Sequence, residues 1–270
     1  MRSVKETLAN MKTSFKIVGT RTCEHCGTEV KIIETSKGQV SRCLTCDDEQ
    51  LKQQQIESIK QQKWRKAKAI FDKYSLIPPD IKKASFENYI PDDDPSKEDA
   101  LQKAKWYANH FMDDEFKQKN FQSLFFRGLY GLGKSHLSYC ISKAVAEKGY
   151  QSLFINIPDL MTAIKDTFNK ESETTESEIM KIISDVDLLV LDDIGAEYVK
   201  VEDGRESWAA DKLFQIMNSR IGKANVFTTN YTSADLVKKY GHHGGRLVSR
   251  MMQGTKPIKI QGDDWRLKQL

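Results

Sequence analysis

No stretch of this 270-residue sequence approaches the roughly 18 consecutive apolar residues that a membrane-spanning helix requires. Residues 1–10 hold no apolar core of the kind a secretory leader carries, which predicts a cytoplasmic protein with no membrane partner. No internal repeat is present, so a solenoid or propeller is excluded. A surplus of one charge is also missing. The 42 Lys and Arg against 38 Asp and Glu leave +4, too little to imply nucleic-acid binding by itself. With 39% hydrophobic and 30% charged residues, the composition is that of a globular protein with one large domain or two unequal ones.

The charge that exists is concentrated. Residues 51–73 carry Lys52, Lys60, Lys63, Arg65, Lys66, Lys68 and Lys73 against only Glu57 and Asp72, a local excess of +5 that leaves the remainder close to neutral. Such a stripe either tracks phosphates or is a solvated helix face. Residues 47–74 contain no Gly or Pro and only a narrow apolar stripe of Leu51, Ile56, Ile59 and Ile70, which predicts a connecting helix. Ile77-Pro-Pro ends it, because proline cannot continue the hydrogen-bond ladder. Pro91-Asp-Asp-Asp-Pro95 marks a further loop.

Cysteine is sparse, at five residues, yet four of them form a pattern: Cys23-Glu-His-Cys26, sixteen residues, then Cys43-Leu-Thr-Cys46. Each C-x2-C knuckle puts two thiolates on one side of a tight turn, and two knuckles close a tetrahedron around Zn²⁺. Gly27 and Gly38 supply the backbone freedom such turns need. A reducing cytosol argues against the competing reading of two disulfides. His25 is read as a spectator, since four sulfurs already fill the site. A module of this size has little apolar surface, so the metal must supply much of its stability. Cys140 stands apart, as a small buried hydrophobe on a helix.

The strongest signal is Gly128-Leu-Tyr-Gly-Leu-Gly133-Lys134-Ser135, which matches G-x-x-x-x-G-K-[ST] with an extra glycine, Gly131, inside the loop. Ser123-Leu-Phe-Phe-Arg127 before it reads as a buried strand, and residues 135–148 after it read as an amphipathic helix. Strand, glycine loop and helix N-terminus together aim backbone N–H groups at phosphate oxygens. Lys134 would reach the β- and γ-phosphates of ATP, and Ser135 would ligate Mg²⁺. A second element agrees: Val186-Asp-Leu-Leu-Val-Leu-Asp192-Asp193 is an apolar strand ending in two carboxylates. Asp192 is suited to the Mg²⁺ shell and Asp193 to orienting the attacking water. Further strands are expected at 151–156, 224–230 and 256–261. Alternation of these strands with helices predicts an α/β fold with a parallel sheet covered on both faces. Asn230 ends the fourth strand, where its carboxamide could position water or the γ-phosphate.

These residues resemble the AAA+ ATPases, and within them the DnaC/DnaI-type replicative helicase loaders and the related IstB-type transposition helpers. The likeness covers residues 77–266. It rests on Ser85-Phe-Glu-Asn-Tyr89, the Gly-Lys-Ser-His-Leu ending of the glycine loop, Leu189-Val-Leu-Asp-Asp-Ile-Gly-Ala-Glu197, Thr228-Thr-Asn230, Arg246-Leu-Val-Ser-Arg250 and Asp264-Trp-Arg266. The resemblance implies that Asn230 is a sensor-1 residue, Arg266 a sensor-2 residue, and Arg250, in preference to Arg246, an arginine finger reaching the neighbouring subunit's nucleotide. Where many AAA+ proteins carry Glu, this chain has Asp193, one methylene shorter, which puts fast hydrolysis in doubt; Glu197 is a weaker candidate base.

The resemblance further implies that a cysteine-ligated N-terminal module, here Cys23, Cys26, Cys43 and Cys46, marks a helicase loader of the DnaI kind over a transposition helper. The expected organisation is a zinc-binding, helicase-gripping module at 1–50, a basic linking helix at 51–76 and an AAA+ domain at 77–270. The expected partners are a replicative hexameric helicase, single-stranded DNA and further copies of the chain in the ATP state, with ADP after turnover. Lys165 and Phe168 offer a charge beside an aromatic face for DNA, although the favoured reading packs Phe168 in the core. A nucleotide-gated adaptor with negligible hydrolysis and a zinc-dependent nucleic-acid binder remain open alternatives.

Overall fold

The computed structural model describes residues 16–169, 171–172, 174–198 and 208–269, with the side chains of 268 and 269 excepted. Residues 1–15, the start of the expected zinc module, lie outside the described residues. The chain divides into two compact units, residues 1–61 and 62–270.

In the first unit, β1 (Lys16–Thr22), β2 (Glu29–Thr35) and β3 (Gly38–Val40) form an antiparallel sheet in sequence order. The β1–β2 connection carries the first cysteine pair, and the second pair opens helix α1 (Leu44–Tyr74). Gly27 and Gly38 both take positive φ, +72° and +114°, as the two turns require. The core is Val30 with Cys23 and Cys43, so apolar burial is slight. Helix α1 starts three residues before the expected position and ends at Tyr74. Leu51, Ile56 and Ile59 are exposed, so the apolar stripe read from the sequence is not a packing face over that stretch.

The second unit is built on five strands: β4 (Ser123–Arg127), β5 (Ser152–Asn156), β6 (Leu188–Ile194), β7 (Ala224–Thr229) and β8 (Thr255–Lys259). All pair in parallel, in the order β5-β6-β7-β4-β8. The last strand lies one to two residues earlier than the sequence reading, and β6 begins at Leu188 rather than Val186. Because side chains alternate across a sheet, successive residues feed opposite cores. Leu188 and Val190 pack with α2 (Pro95–His110) and α4 (Lys134–Glu147), whereas Leu189 and Leu191 pack with α5 (Ile157–Asp166), α6 (Glu176–Asp185) and α7 (Trp208–Ser219). A one-turn helix α3 (Asp114–Lys117), then α8 (Ser233–Lys239) and α9 (Gly244–Met252), complete the regular elements, with 3₁₀ turns at Gly241–His243 and Trp265–Gln269. The acidic loop leads straight into α2, where Asp94 caps the helix by accepting from Ser96 N–H and Lys97 N–H. Cys140 is buried in α4, as expected. Among the described residues, no helix is long and apolar enough to cross a membrane.

Candidate nucleotide site and cysteine centre

The phosphate loop begins where β4 ends. Gly131 and Gly133 adopt φ of +66° and +76°, a left-handed backbone that glycine takes without penalty. Gly133 caps α4 and offers no side-chain acceptor, so the first N–H groups of the helix remain available to an anion. Lys134 lies buried in the first turn and donates from Nζ to the Leu129 carbonyl at 2.5 Å. Burial draws its pKa down to about 8, opposed by the negative charges of Asp193 and Asp192. The Ser135 hydroxyl lies close enough to the Asp192 carboxylate to favour its charged form. A hydroxyl beside a carboxylate is the hard oxygen donor set that Mg²⁺ needs.

Both carboxylates at the end of β6 face this loop. Burial lifts the Asp192 pKa to about 6, and hydrogen bonds from Thr228 and Ser135 counter part of that shift. The Thr228 hydroxyl donates to Asp192 Oδ1 at 2.7 Å and accepts from the Asp193 N–H at 2.8 Å. Asp193 has a positive φ of 59°, uncommon for a residue with a Cβ. Its Oδ1 accepts from Asn230 Nδ2 at 2.7 Å. Burial raises its pKa also, opposed by Lys134 and Arg266. Glu197 points elsewhere: it is buried, and its Oε2 accepts from the Gly195 N–H at 3.0 Å.

Arg266 is tied to Asp264. Its N–H and Nε donate to Asp264 Oδ1 at 3.0 and 3.1 Å, and its Nη2 donates to Oδ2 at 3.1 Å. The guanidinium in turn holds the Asp264 carboxyl below its ordinary range. Asp264 leans on Gly131, and the Trp265 N–H donates to the Gly131 carbonyl at 3.1 Å, so the segment carrying Arg266 is clipped to the phosphate loop. Arg250 is not part of this constellation. It is exposed near the end of α9, bonded to Gln253, and borders a cavity with Ser123 and Thr255, the first residues of β4 and β8. The phosphate loop is at the other end of those strands, so Arg250 does not serve its own chain's phosphate loop.

A cavity of about 230 Å³ adjoins the loop, lined among others by Tyr89, Leu132, His136, Asp80, Lys97 and Trp265. The Tyr89 hydroxyl donates to the Leu132 carbonyl at 3.2 Å, its ring meets that of His136 edge-on, and His136 Nε2 lies 2.7 Å from the Ser85 carbonyl. These contacts bind residues 85–89 to α4 across more than forty positions of sequence. No local pattern signals such a wall; only the Ser85–Tyr89 motif hinted that the segment matters.

The four cysteine Sγ atoms lie within 4.8 Å of one another, with Cys23 and Cys46 at 3.7 Å and Cys26 and Cys43 at 3.4 Å. A disulfide would need about 2.05 Å, whereas zinc–sulfur bonds of about 2.3 Å in a tetrahedron place sulfurs about 3.8 Å apart. The cluster therefore has the dimensions of a zinc site, and His25 is outside it.

The core alternative for Phe168 does not hold: the ring is 61% exposed. It meets Trp208 edge-on at 6.2 Å, and Lys165 Nζ lies 5.5 Å from the Trp208 ring centre. Trp208 was missed in the sequence because it sits forty residues from Phe168.

A parallel sheet with a glycine loop after its inner strand β4, and two acids closing β6, defines a P-loop nucleotide-binding protein, and the solved structures it resembles place its fold in the AAA+ class. The chain belongs to the family described as IstB-like ATP binding protein, whose profile matches residues 111–270. It is 32% identical over 181 residues to the replicative helicase loader DnaC of Escherichia coli K12, covering 67% of this chain and 68% of that one. It is 26% identical over 157 residues to the replicative helicase loader DnaI of Bacillus subtilis 168, covering 54% and 48%. The crystal structure of the DnaC helicase loader superposes with a TM-score of 0.54 at 24% identity, over 68% of this chain and all of that one. That of DnaI gives 0.55 at 23%, over 70% and 94%. These two likenesses establish the shared fold.

Proposed function

We infer that this chain is an ATPase that loads a replicative hexameric DNA helicase onto single-stranded DNA. Residues 1–50 act as the helicase-gripping zinc module, 51–76 as the linking helix and 77–270 as the ATPase. The observation that carries the ATPase reading is the convergence of Lys134, Ser135, Asp192, Asp193 and Asn230 at one end of the parallel sheet. The names of the relatives support the helicase as partner.

In this reading the loop from Gly128 to Gly133 wraps the phosphates, Lys134 meets the β- and γ-oxygens, and the Tyr89–His136–Trp265 cavity receives the base. Ser135 and Asp192 would hold Mg²⁺, which when bound neutralises phosphate charge. Asp193, steadied by Asn230, orients water for attack on the γ-phosphorus and takes its proton as the bond to the ADP oxygen breaks. Arg266 offsets charge from the same chain, and Arg250 from the next protomer in the ATP-bound assembly. The short Asp193 side chain, already engaged by Asn230, favours slow turnover, so ATP serves mainly to bias assembly.

Lys165 and Phe168, both exposed, lie against the half-buried Trp208 ring and form a cation–aromatic platform that suits unstacked bases. The cysteine cluster would hold Zn²⁺, which cross-links two turns that bury almost no apolar surface.

Native mass spectrometry with the host's replicative helicase, with and without ATP and Mg²⁺, tests the central reading. A stoichiometric complex that disappears in Cys43→Ser, Cys46→Ser supports a loader gripping through its cysteine module. No complex in any nucleotide state shifts the assignment to a transposition helper, with a transposase as the partner to test. Loss of single-strand affinity in Phe168→Ala, Trp208→Ala supports the platform, and unchanged affinity removes it.

A further inference from the structure

In a regular strand, consecutive residues point to opposite faces of the sheet. Asp192 and Asp193 are consecutive, yet one contacts Ser135 and the other Asn230 on the same phosphate site. The β6–β7 register explains how. Leu191 pairs with Phe227 and Ile194 with Thr229, so two residues of β6, Asp192 and Asp193, stand opposite a single residue of β7, Thr228. That is a β-bulge, a device that re-aims a side chain at the cost of ladder hydrogen bonds. The left-handed backbone of Asp193 is its local signature.

A bulge buried between two paired strands leaves polar groups to be satisfied, and an unpaired buried N–H is costly. Thr228 is 1% exposed, on a strand flanked on both sides by β6 and β4. Its hydroxyl accepts the Asp193 N–H at 2.8 Å and donates to Asp192 Oδ1 at 2.7 Å. One side chain thus takes the orphaned amide of the second acid and fixes the carboxylate of the first.

We propose that Thr228 is a positioning residue: its hydroxyl closes the bulge in β6 and sets the relative geometry of Asp192 and Asp193, so that two adjacent acids serve one phosphate site. Thr228 acts through the two acids. The functional consequence rests on the ATPase reading above, whereas the structural claim stands on the bulge alone.

The test uses the full-length chain with three substitutions. Thr228→Ser keeps the hydroxyl, Thr228→Val removes it at nearly constant volume, and Thr228→Ala removes it without crowding the strand should the valine protein not fold. Two quantities are read: hydrogen exchange at the Asp193 amide by NMR, and the split between kcat and KM for ATP. Loss of the hydroxyl should lower protection of the Asp193 amide at least tenfold relative to Thr228→Ser. It should reduce kcat by about 10²-fold, the size of effect that a displacement of about 1 Å produces, with KM within threefold of the parent.

Parent-like protection in the hydroxyl-free variants would overturn the proposal. So would Thr228→Ser being as impaired as Thr228→Ala, which would make the methyl group, not the hydroxyl, the determinant. If the parent protein itself turns over no ATP in the presence of helicase and DNA, the ATPase reading fails, and amide protection alone decides the role of Thr228.

Discussion

Asn230 Nδ2 lies 2.7 Å from Asp193 Oδ1, joining the ends of two neighbouring strands directly over the phosphate loop. In the proposed mechanism this bond fixes the direction of the Asp193 carboxylate, which would meet the water through its other oxygen. Asn230→Ala should therefore reduce kcat for ATP by about 10²-fold, at the lower end of general-base effects, while nucleotide affinity stays within threefold. Steady-state turnover beside equilibrium titration of a fluorescent ATP analogue checks this. An equal loss in affinity would instead make Asn230 a binding residue.

Arg250 borders the ends of β4 and β8 opposite the phosphate loop, so the finger role proposed for it would be exercised only in an assembly. Arg250→Ala should leave ATP affinity of the isolated chain unchanged and lower the turnover of the assembled protein by about 10³-fold or more. Mixing it with Lys134→Ala protein provides the check. The Lys134→Ala protomers retain Arg250 and the Arg250→Ala protomers retain a working loop, so mixed assemblies should regain activity that neither variant shows alone.

Two loop glycines should fail differently. A Cβ on Gly128 would lie 2.3 Å from the backbone oxygen of Ile260, which cannot move without breaking β8 from the fold, so Gly128→Ala should lower the melting temperature sharply. A Cβ on Gly131 would meet only the Asp264 side chain, at 1.6 Å, on top of about 1–2 kcal/mol for a left-handed non-glycine residue. Gly131→Ala should keep most of its melting temperature but expel Asp264 and with it Arg266. Its hydrolysis defect should then match that of Arg266→Ala, measured side by side.

Removal of metal should act on one unit only. With Val30, Cys23 and Cys43 as the core, strands β1 to β3 would depend on the proposed zinc crosslink, worth about 10–16 kcal/mol in zinc peptides. A strong chelator should abolish amide protection in residues 16–50 and leave the five-stranded sheet protected. Hydrogen exchange with mass spectrometric readout distinguishes this from global unfolding, and unchanged protection in residues 16–50 would exclude a stabilising ion.

Glu197 is a buried carboxyl whose pKa is raised by burial, with Tyr240 and the Gly195 N–H countering part of the shift. A raised carboxyl pKa means that the folded state prefers the protonated form. Its ionisation therefore costs stability once the pH climbs above the unfolded value, and the cost is fully developed above the folded value. Glu197→Gln, which keeps the acceptor for Gly195, should raise the melting temperature at pH 8. The gain should shrink towards zero as the pH falls below 4.5, as thermal denaturation across that range would reveal.

The glycine loop, the paired acids and the two cysteine knuckles were legible in the sequence, because each works through spacing along a few residues. A glycine loop between a buried strand and a helix can fold in few ways, and two C-x2-C turns separated by a hairpin-sized gap bring four sulfurs together. The alternation of apolar strands and helices likewise carried the parallel sheet. Other features lay beyond such reading. That Phe168 stays in solvent beside Trp208, that Tyr89 and His136 wall a cavity, and that Asp264 holds Arg266 against Gly131 each depend on segments meeting across tens of residues. The sequence assigned both adjacent acids to one site, but how neighbouring strand residues can both reach it was hidden: it depends on a single-residue slip between β6 and β7. Strand register is decided by which neighbour supplies the missing hydrogen bond, and here that neighbour is the Thr228 hydroxyl, thirty-five residues from Asp193.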